Sequence, residues 1–84
     1  MIVKVWYRRN LKLSPAKLAA QVAHAVNGLM ITTTDLNIHV LMASDNKFEQ
    51  IKSETYTLYY LQIDKGLTEI PANTETCLAY VDYE

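Results

Sequence analysis

Apolar residues recur along this chain with two different periods, and the switches between them divide its 84 residues into alternating strands and helices. Ile2-Val3-Lys4-Val5-Trp6-Tyr7 is β-branched and aromatic and predicts a first strand. A connection runs from Arg8 to Leu13. Ser14-Pro15 then supplies an N-cap followed by proline at the first helical position. The helix is expected from Pro15 to near Ile31, ending in the Thr32-Thr33-Thr34 loop. Asn37-Ile38-His39-Val40-Leu41-Met42-Ala43 reads as a second strand, and Ser44 or Asp45 can cap a short helix carrying Phe48 and Ile51. Thr55 to Ile63 predicts a third strand and Glu75 to Val81 a fourth. This order implies a single α/β domain spanning 1–84, with a four-stranded mixed sheet and helical cover. The first crossover should be right-handed, with the first two strands parallel.

The first helix is unusual in its polarity. At ~100° per residue, Lys17, Gln21, His24 and Gly28 fall within one narrow sector. Every other face is apolar, built from Leu18, Ala19, Ala20, Val22, Ala23, Ala25, Val26, Leu29 and Met30. A helix apolar all round is expected to be buried, so the amine–amide–imidazole line calls for something polar to face, such as a cleft. The alternative is that Lys17 reaches solvent while Gln21 and His24 bond to backbone. Asp64 ends the third strand, where open α/β sheets place ligand-binding groups. It can also serve simply to bond the turn backbone, as Asp and Thr do. Gly66 and the Pro71–Asn73 segment predict turns between the last two strands.

Composition narrows the classes. Half of the residues are hydrophobic, which excludes a disordered chain. A domain of this size buries only ~60–65% of its extended surface, so modest stability is expected. The apolar stretches are too short to span a bilayer, and Met1-Ile2-Val3-Lys4 lacks the form of a signal peptide. Cys77 is the sole cysteine, which leaves no intrachain disulfide and suits a cytoplasmic location. His24 and His39 lie on different elements, so no metal-ligand set is expected. Neither a Gly-x-Ser-x-Gly elbow nor a phosphate-cradling glycine loop is present, and no cofactor is expected. The formal charge of −1 conceals an asymmetry: residues 1–34 carry Lys4, Arg8, Arg9, Lys12 and Lys17 and no acid, whereas residues 35–84 set three lysines against nine acids. A basic pole of this kind can meet a polyanion or form a solvated edge.

Two blocks of the sequence resemble the type 2 peptidyl-tRNA hydrolases. That family opens with a hydrophobic strand, an Arg-x-Asp-Leu-Lys-Met run and then Gly-Lys-Gly-Lys-x-Ala-Ala-Gln-x-x-His-Ala. In the same register this chain has Arg8-Arg9-Asn10-Leu11-Lys12-Leu13-Ser14-Pro15-Ala16-Lys17-Leu18-Ala19-Ala20-Gln21-Val22-Ala23-His24-Ala25. The family's second signature, Asp-Ala-Gly-x-Thr-x-Ile with Pro-Gly-Thr-x-Thr-x-Leu, is similar to Asp64-Lys65-Gly66-Leu67-Thr68-Glu69-Ile70 and Ala72-Asn73-Thr74-Glu75-Thr76-Cys77-Leu78. Ser14-Pro15-Ala16 departs from Gly-Lys-Gly, Asn10 replaces Asp, and Asn73 replaces Gly. The resemblance implies a minimal three-layer α/β/α fold and hydrolysis of the ester joining a peptide, or a blocked amino acid, to the 3′ end of tRNA. It places the catalytic positions at Lys17, His24, Asp64, Thr68 and Thr76.

Such a reaction needs a positioned water, a base and stabilisation of an oxyanion. Asp64 could hold or deprotonate the water with Thr68 and Thr76 beside it, while Lys17 stabilises the oxyanion or a phosphate. Arg8, Arg9, Lys12 and Gln21 are the expected substrate-binding residues, with the acceptor end of tRNA as partner. Tyr56, Tyr59, Tyr60, Tyr80 and Tyr83 gather on the last two strands. They offer a stacking platform for unpaired nucleotides, or, as favoured here, a homodimer or partner contact. The competing functional reading is a non-catalytic binding or inhibitor protein on the same scaffold.

Overall fold

The computed structural model describes residues 1–66 and 71–83. β1 (Ile2–Arg8) leads through a 3-10 turn (Arg9–Leu11) to α1 (Pro15–Gly28); β2 (Asn37–Ala43), α2 (Asp45–Lys52), β3 (Tyr59–Asp64) and β4 (Thr74–Asp82) follow. The strands form one mixed sheet in the order β2-β1-β4-β3. β1 pairs parallel with β2 and antiparallel with β4, and β4 pairs antiparallel with β3. The expected α/β class and four-stranded mixed sheet are therefore present. Among the described residues no helix is long and apolar enough to cross a membrane.

Strand alternation divides the interior into two clusters on opposite faces of the sheet. Val3 and Val5 join Cys77, Ala79 and Val81 against Ala25 and Leu29 of the α1 segment. Trp6 joins Leu78, Ala43 and Leu61 against Phe48 and Ile51 of α2. The central strands β1 and β4 carry most of this burial, which is why β4 is buried without interruption from Thr76 to Ala79.

Both helices start where hydroxyl caps direct them. Ser14 Oγ accepts from Lys17 N–H and Ser44 Oγ from Lys47 N–H, each at 3.2 Å. Asp45 in the first turn of α2 and Lys52 in its last complement the helix dipole. α1 stops at Gly28, short of the expected Ile31, because Met30 takes a left-handed conformation (φ 59°) and turns the chain away. β3 begins at Tyr59 rather than Thr55. The preceding segment instead folds under α2, where the Tyr56 hydroxyl donates to the Ile51 carbonyl at 2.9 Å.

The sheet has one irregularity that matters for the site. Gln62 pairs with Cys77, but Ile63 pairs with Glu75, so Thr76 is an extra residue in β4. This β-bulge turns two successive side chains to the same face. Cys77 lies in the α1-side cluster, and Thr76 also reaches toward α1, bonding Gln21. Glu75 points the other way, its carboxylate 2.6 Å from Lys52 Nζ of α2.

Candidate active site

The polar stripe of α1 faces a cleft of about 430 Å³ between this helix and the end of β3. Lys17, Gln21 and His24 line one wall, and Tyr60, Gln62 and Asp64 line the other. The period of the helix and the alternation of the strand thus put their polar residues opposite one another. The local reason is the bare sheet side of α1, where Ala25 is fully buried. It brings the helix close to β4 and β3 and leaves the longer polar side chains at its flank.

Asp64 is the hub. Its Oδ2 lies 2.6 Å from Lys17 Nζ and accepts from Gln21 Nε2 at 3.1 Å, while its Oδ1 accepts from Gly66 N–H at 2.5 Å. Its main-chain carbonyl also accepts from Asn73 N–H at 2.7 Å, closing the turn that carries it. Lys17 and the Gly66 N–H hold the Asp64 carboxyl below the usual carboxylate range. The turn depends on Gly66, which has φ 76° and where a Cβ would come within 2.6 Å of the Ala72 backbone nitrogen. Asn73, also left-handed at φ 65°, fills a position that asparagine tolerates.

Behind the acid a second layer fixes its orientation. The fully buried Thr76 hydroxyl donates to Gln21 Oε1 at 2.7 Å. That bond orients the Gln21 amide so that its NH₂ faces Asp64. Thr76 Oγ also lies 3.3 Å from the Gln62 carbonyl, beside the bulge. Among the described residues no buried side-chain polar atom lacks a partner. Thr76, Gln21, Asp64 and Lys17 are one continuous chain of contacts from the sheet interior to the cleft.

The expected site residues divide by location. Lys17, Gln21, His24 and Asp64 line the cleft, and Thr76 lies beneath it. Thr68 lies outside the described residues. Gln21, expected to bind substrate, is buried and joins Thr76 to Asp64. Arg8, Arg9 and Lys12 do not line the cleft. Arg8 is held by Asp45 Oδ1 at 3.0 Å and the Glu75 carbonyl at 2.9 Å, and so ties β1 to α2 and β4. Arg9 and Lys12 stand exposed on the 3-10 turn and its left-handed cap.

The tyrosines also separate. Tyr80 stacks on Tyr56 with centroids 4.1 Å apart, and its hydroxyl accepts from Trp6 Nε1 at 3.1 Å. Tyr60 packs its ring directly over Gly28, at the mouth of the cleft, where a glycine is required: a Cβ there would fall 2.3 Å from the ring. Tyr59 and Tyr83 remain largely exposed. Tyr60 stands out in the sequence only as one of the strand tyrosines, and Gln62 only as a residue alternating with Asp64 along β3. No family model matches the chain, and no curated protein matches it.

Proposed function

We propose that the chain is a hydrolase of the type 2 peptidyl-tRNA hydrolase kind. It would cleave the ester between a peptide, or an N-blocked amino acid, and the 3′-terminal ribose of tRNA. The observation that carries this reading is convergence. Lys17, His24, Asp64 and Thr76, positions marked by the sequence resemblance, come from a helix and two strands to one cleft and its floor. The hydrogen-bonded chain behind Asp64 is also more ordered than a solvated surface requires.

The geometry suggests how the labour divides. Asp64 already accepts from three donors, so its carboxylate is a weak base and acts chiefly to hold the Lys17 ammonium at the cleft floor. Lys17 stabilises the oxyanion that forms when water attacks the ester carbonyl. His24, exposed at the cleft wall, accepts the proton of that water. Arg9 and Lys12 supply the phosphate contacts, since Arg8 is committed to Asp45.

The test is deacylation of N-acetyl-aminoacyl-tRNA by the purified protein, with free aminoacyl-tRNA as control. Turnover of the blocked substrate should fall by about 10²–10⁴ in His24→Ala, within the range of lost acid–base catalysis. Arg9→Ala with Lys12→Ala should flatten the salt dependence of binding by roughly 0.7–0.9 log units per contact. Absence of turnover above buffer at high enzyme concentration would reject the hydrolase. The non-catalytic binding reading would then stand in its place, favoured by the saturation of Asp64.

A further inference from the structure

The proposed chemistry uses only one end of the cleft. α1 and β3 run in opposite directions along it, so Lys17 meets Asp64 at one end and Gly28 meets Tyr60 at the other. The helix rises ~16 Å between those two positions, and β3 extends ~13 Å from Asp64 back to Tyr60. An ester and its attacking water need a fraction of that length. The cleft of about 430 Å³ falls within the ~300–1,000 Å³ of small-ligand sites.

The unused end has a chemistry of its own. Tyr60 is the one tyrosine among the described residues that lines the cleft. A Cβ on Gly28 would fall 2.3, 2.4 and 2.5 Å from its Cγ, Cδ2 and Cδ1, near-equal distances that set the ring face-on against the helix. The ring is thus held before any ligand arrives, and at 39% exposure it still offers surface to one. Gln62, one alternation along the strand, also lines the cleft. Its backbone is fixed opposite Cys77, whereas its amide makes only a 3.4 Å contact with the Ile63 carbonyl, longer than a good hydrogen bond. A fixed aromatic ring beside an uncommitted amide suits a nucleobase. Bases stack on such rings, and a glutamine amide pairs with adenine through N6 and N7.

The other end adds a cation. Lys65 follows Asp64, is exposed and lines the cleft. Asp64, the one acid among the described lining residues, is already paired with Lys17. Lys65 therefore leaves the cleft net positive in a chain of net charge −1. A phosphate is attracted to one end and a base to the other.

We propose that the cleft is a mononucleotide site, in which a terminal adenine stacks on Tyr60 with Gln62 at its edge and Lys65 contacts the nucleotide's phosphate. That this nucleotide belongs to an RNA 3′ end rests on the tRNA reading above. The site itself does not depend on turnover.

NMR titration of the isotope-labelled full chain with AMP, adenosine and ribose 5-phosphate tests it. AMP at millimolar concentration should shift the Gly28, Tyr60 and Gln62 resonances saturably, with cross-relaxation between the base protons and the Tyr60 ring. Adenosine should bind more weakly than AMP, and ribose 5-phosphate should leave Tyr60 unmoved. Tyr60→Phe should keep AMP binding, and Tyr60→Leu should weaken it about fivefold or more. Lys65→Met, at an exposed position, should bring AMP down to the affinity of adenosine. Circular dichroism checks folding, and the base-to-ring contact in the wild type decides the matter if Tyr60→Leu fails to fold. Absence of saturable shifts with AMP would overturn the proposal. So would equal affinity of AMP and adenosine, or a Tyr60→Leu variant that binds as the wild type. Deacylation is scored separately: turnover without the base-to-ring contact rejects this site and leaves the hydrolase standing, and the contact without turnover does the reverse.

Discussion

Replacing Thr76 by valine probes the layer behind the cleft with almost no change of shape. The threonine is fully buried, and its hydroxyl donates to Gln21 Oε1 at 2.7 Å. Valine keeps the volume and removes the donor, leaving a buried amide oxygen unpaired. Losing one partner of a buried bond costs about 1–3 kcal/mol. In a domain of this size each kcal/mol lowers Tm by roughly 4–8 °C. Thr76→Val should therefore melt roughly 5–20 °C below the wild type. Thr76→Ser keeps the hydroxyl and loses only a methyl, so about 1 kcal/mol is expected from the cavity.

The sharper measurement is a double-mutant cycle with Gln21→Met, read by urea unfolding through Trp6 fluorescence. Gln21→Met removes the acceptor that Thr76→Val orphans, so the two losses should fall short of additivity by about 1–2 kcal/mol. Gln21 Nε2 also donates to Asp64, and its amide loses its fixed orientation in the valine variant. Activity should consequently fall further in Thr76→Val than in Thr76→Ser. Equal stability of the valine and serine variants, or strict additivity in the cycle, would refute the reasoning that this hydroxyl anchors the site.

Two other outcomes are expected. Asp64 is held below the carboxylate range by Lys17 and Gly66, so its contribution to stability is fully present above the unfolded value of about 3.9 and is lost as pH falls through the lower folded value. The Tm of the wild type should thus decline more steeply than that of Asp64→Asn as pH falls from about 4 to 2, and parallel curves would contradict it. Gly28→Ala would ordinarily stabilise a helix by about 1 kcal/mol, but a Cβ there meets the Tyr60 ring at 2.3 Å. Net destabilisation of about 1–3 kcal/mol is expected, relieved in the Gly28→Ala/Tyr60→Ala pair, with thermal melting as the readout.

These contacts explain which parts of the site could be read from sequence. The Lys17-Gln21-His24 line is a property of helical spacing and is visible as soon as α1 is assigned. Asp64 at a strand end before Gly66 is a local signal of the same kind. Thr76 is marked in the sequence by the resemblance alone, because strict alternation from Cys77 turns it toward α2. Only the bulge, set by the pairing of two distant strands, returns it to α1. Arg8 illustrates a second limit. A count of charges cannot distinguish a free guanidinium from one held by Asp45 and a β4 carbonyl, since both partners are remote in sequence. The early end of α1 is likewise set by the left-handed Met30, a backbone turn that no apolar periodicity announces.

The bulge also explains how so short a chain can keep a buried polar network. A regular β4 would offer α1 the side chains of alternate residues: Cys77, Ala79 and Val81, all apolar, and the acid Glu75. Gln21 on the buried side of α1 would then lose the Thr76 hydroxyl, at a cost of about 1–3 kcal/mol. The extra residue supplies a hydroxyl there and sends Glu75 to Lys52 on the opposite face. One local departure from the ladder thus satisfies a buried amide on one side and an ion pair on the other. Deleting Thr76 would restore a regular ladder with Glu75 still turned to Lys52, but would remove the hydroxyl from which Gln21 Oε1 accepts, so the irregularity and the buried network behind Asp64 stand or fall together.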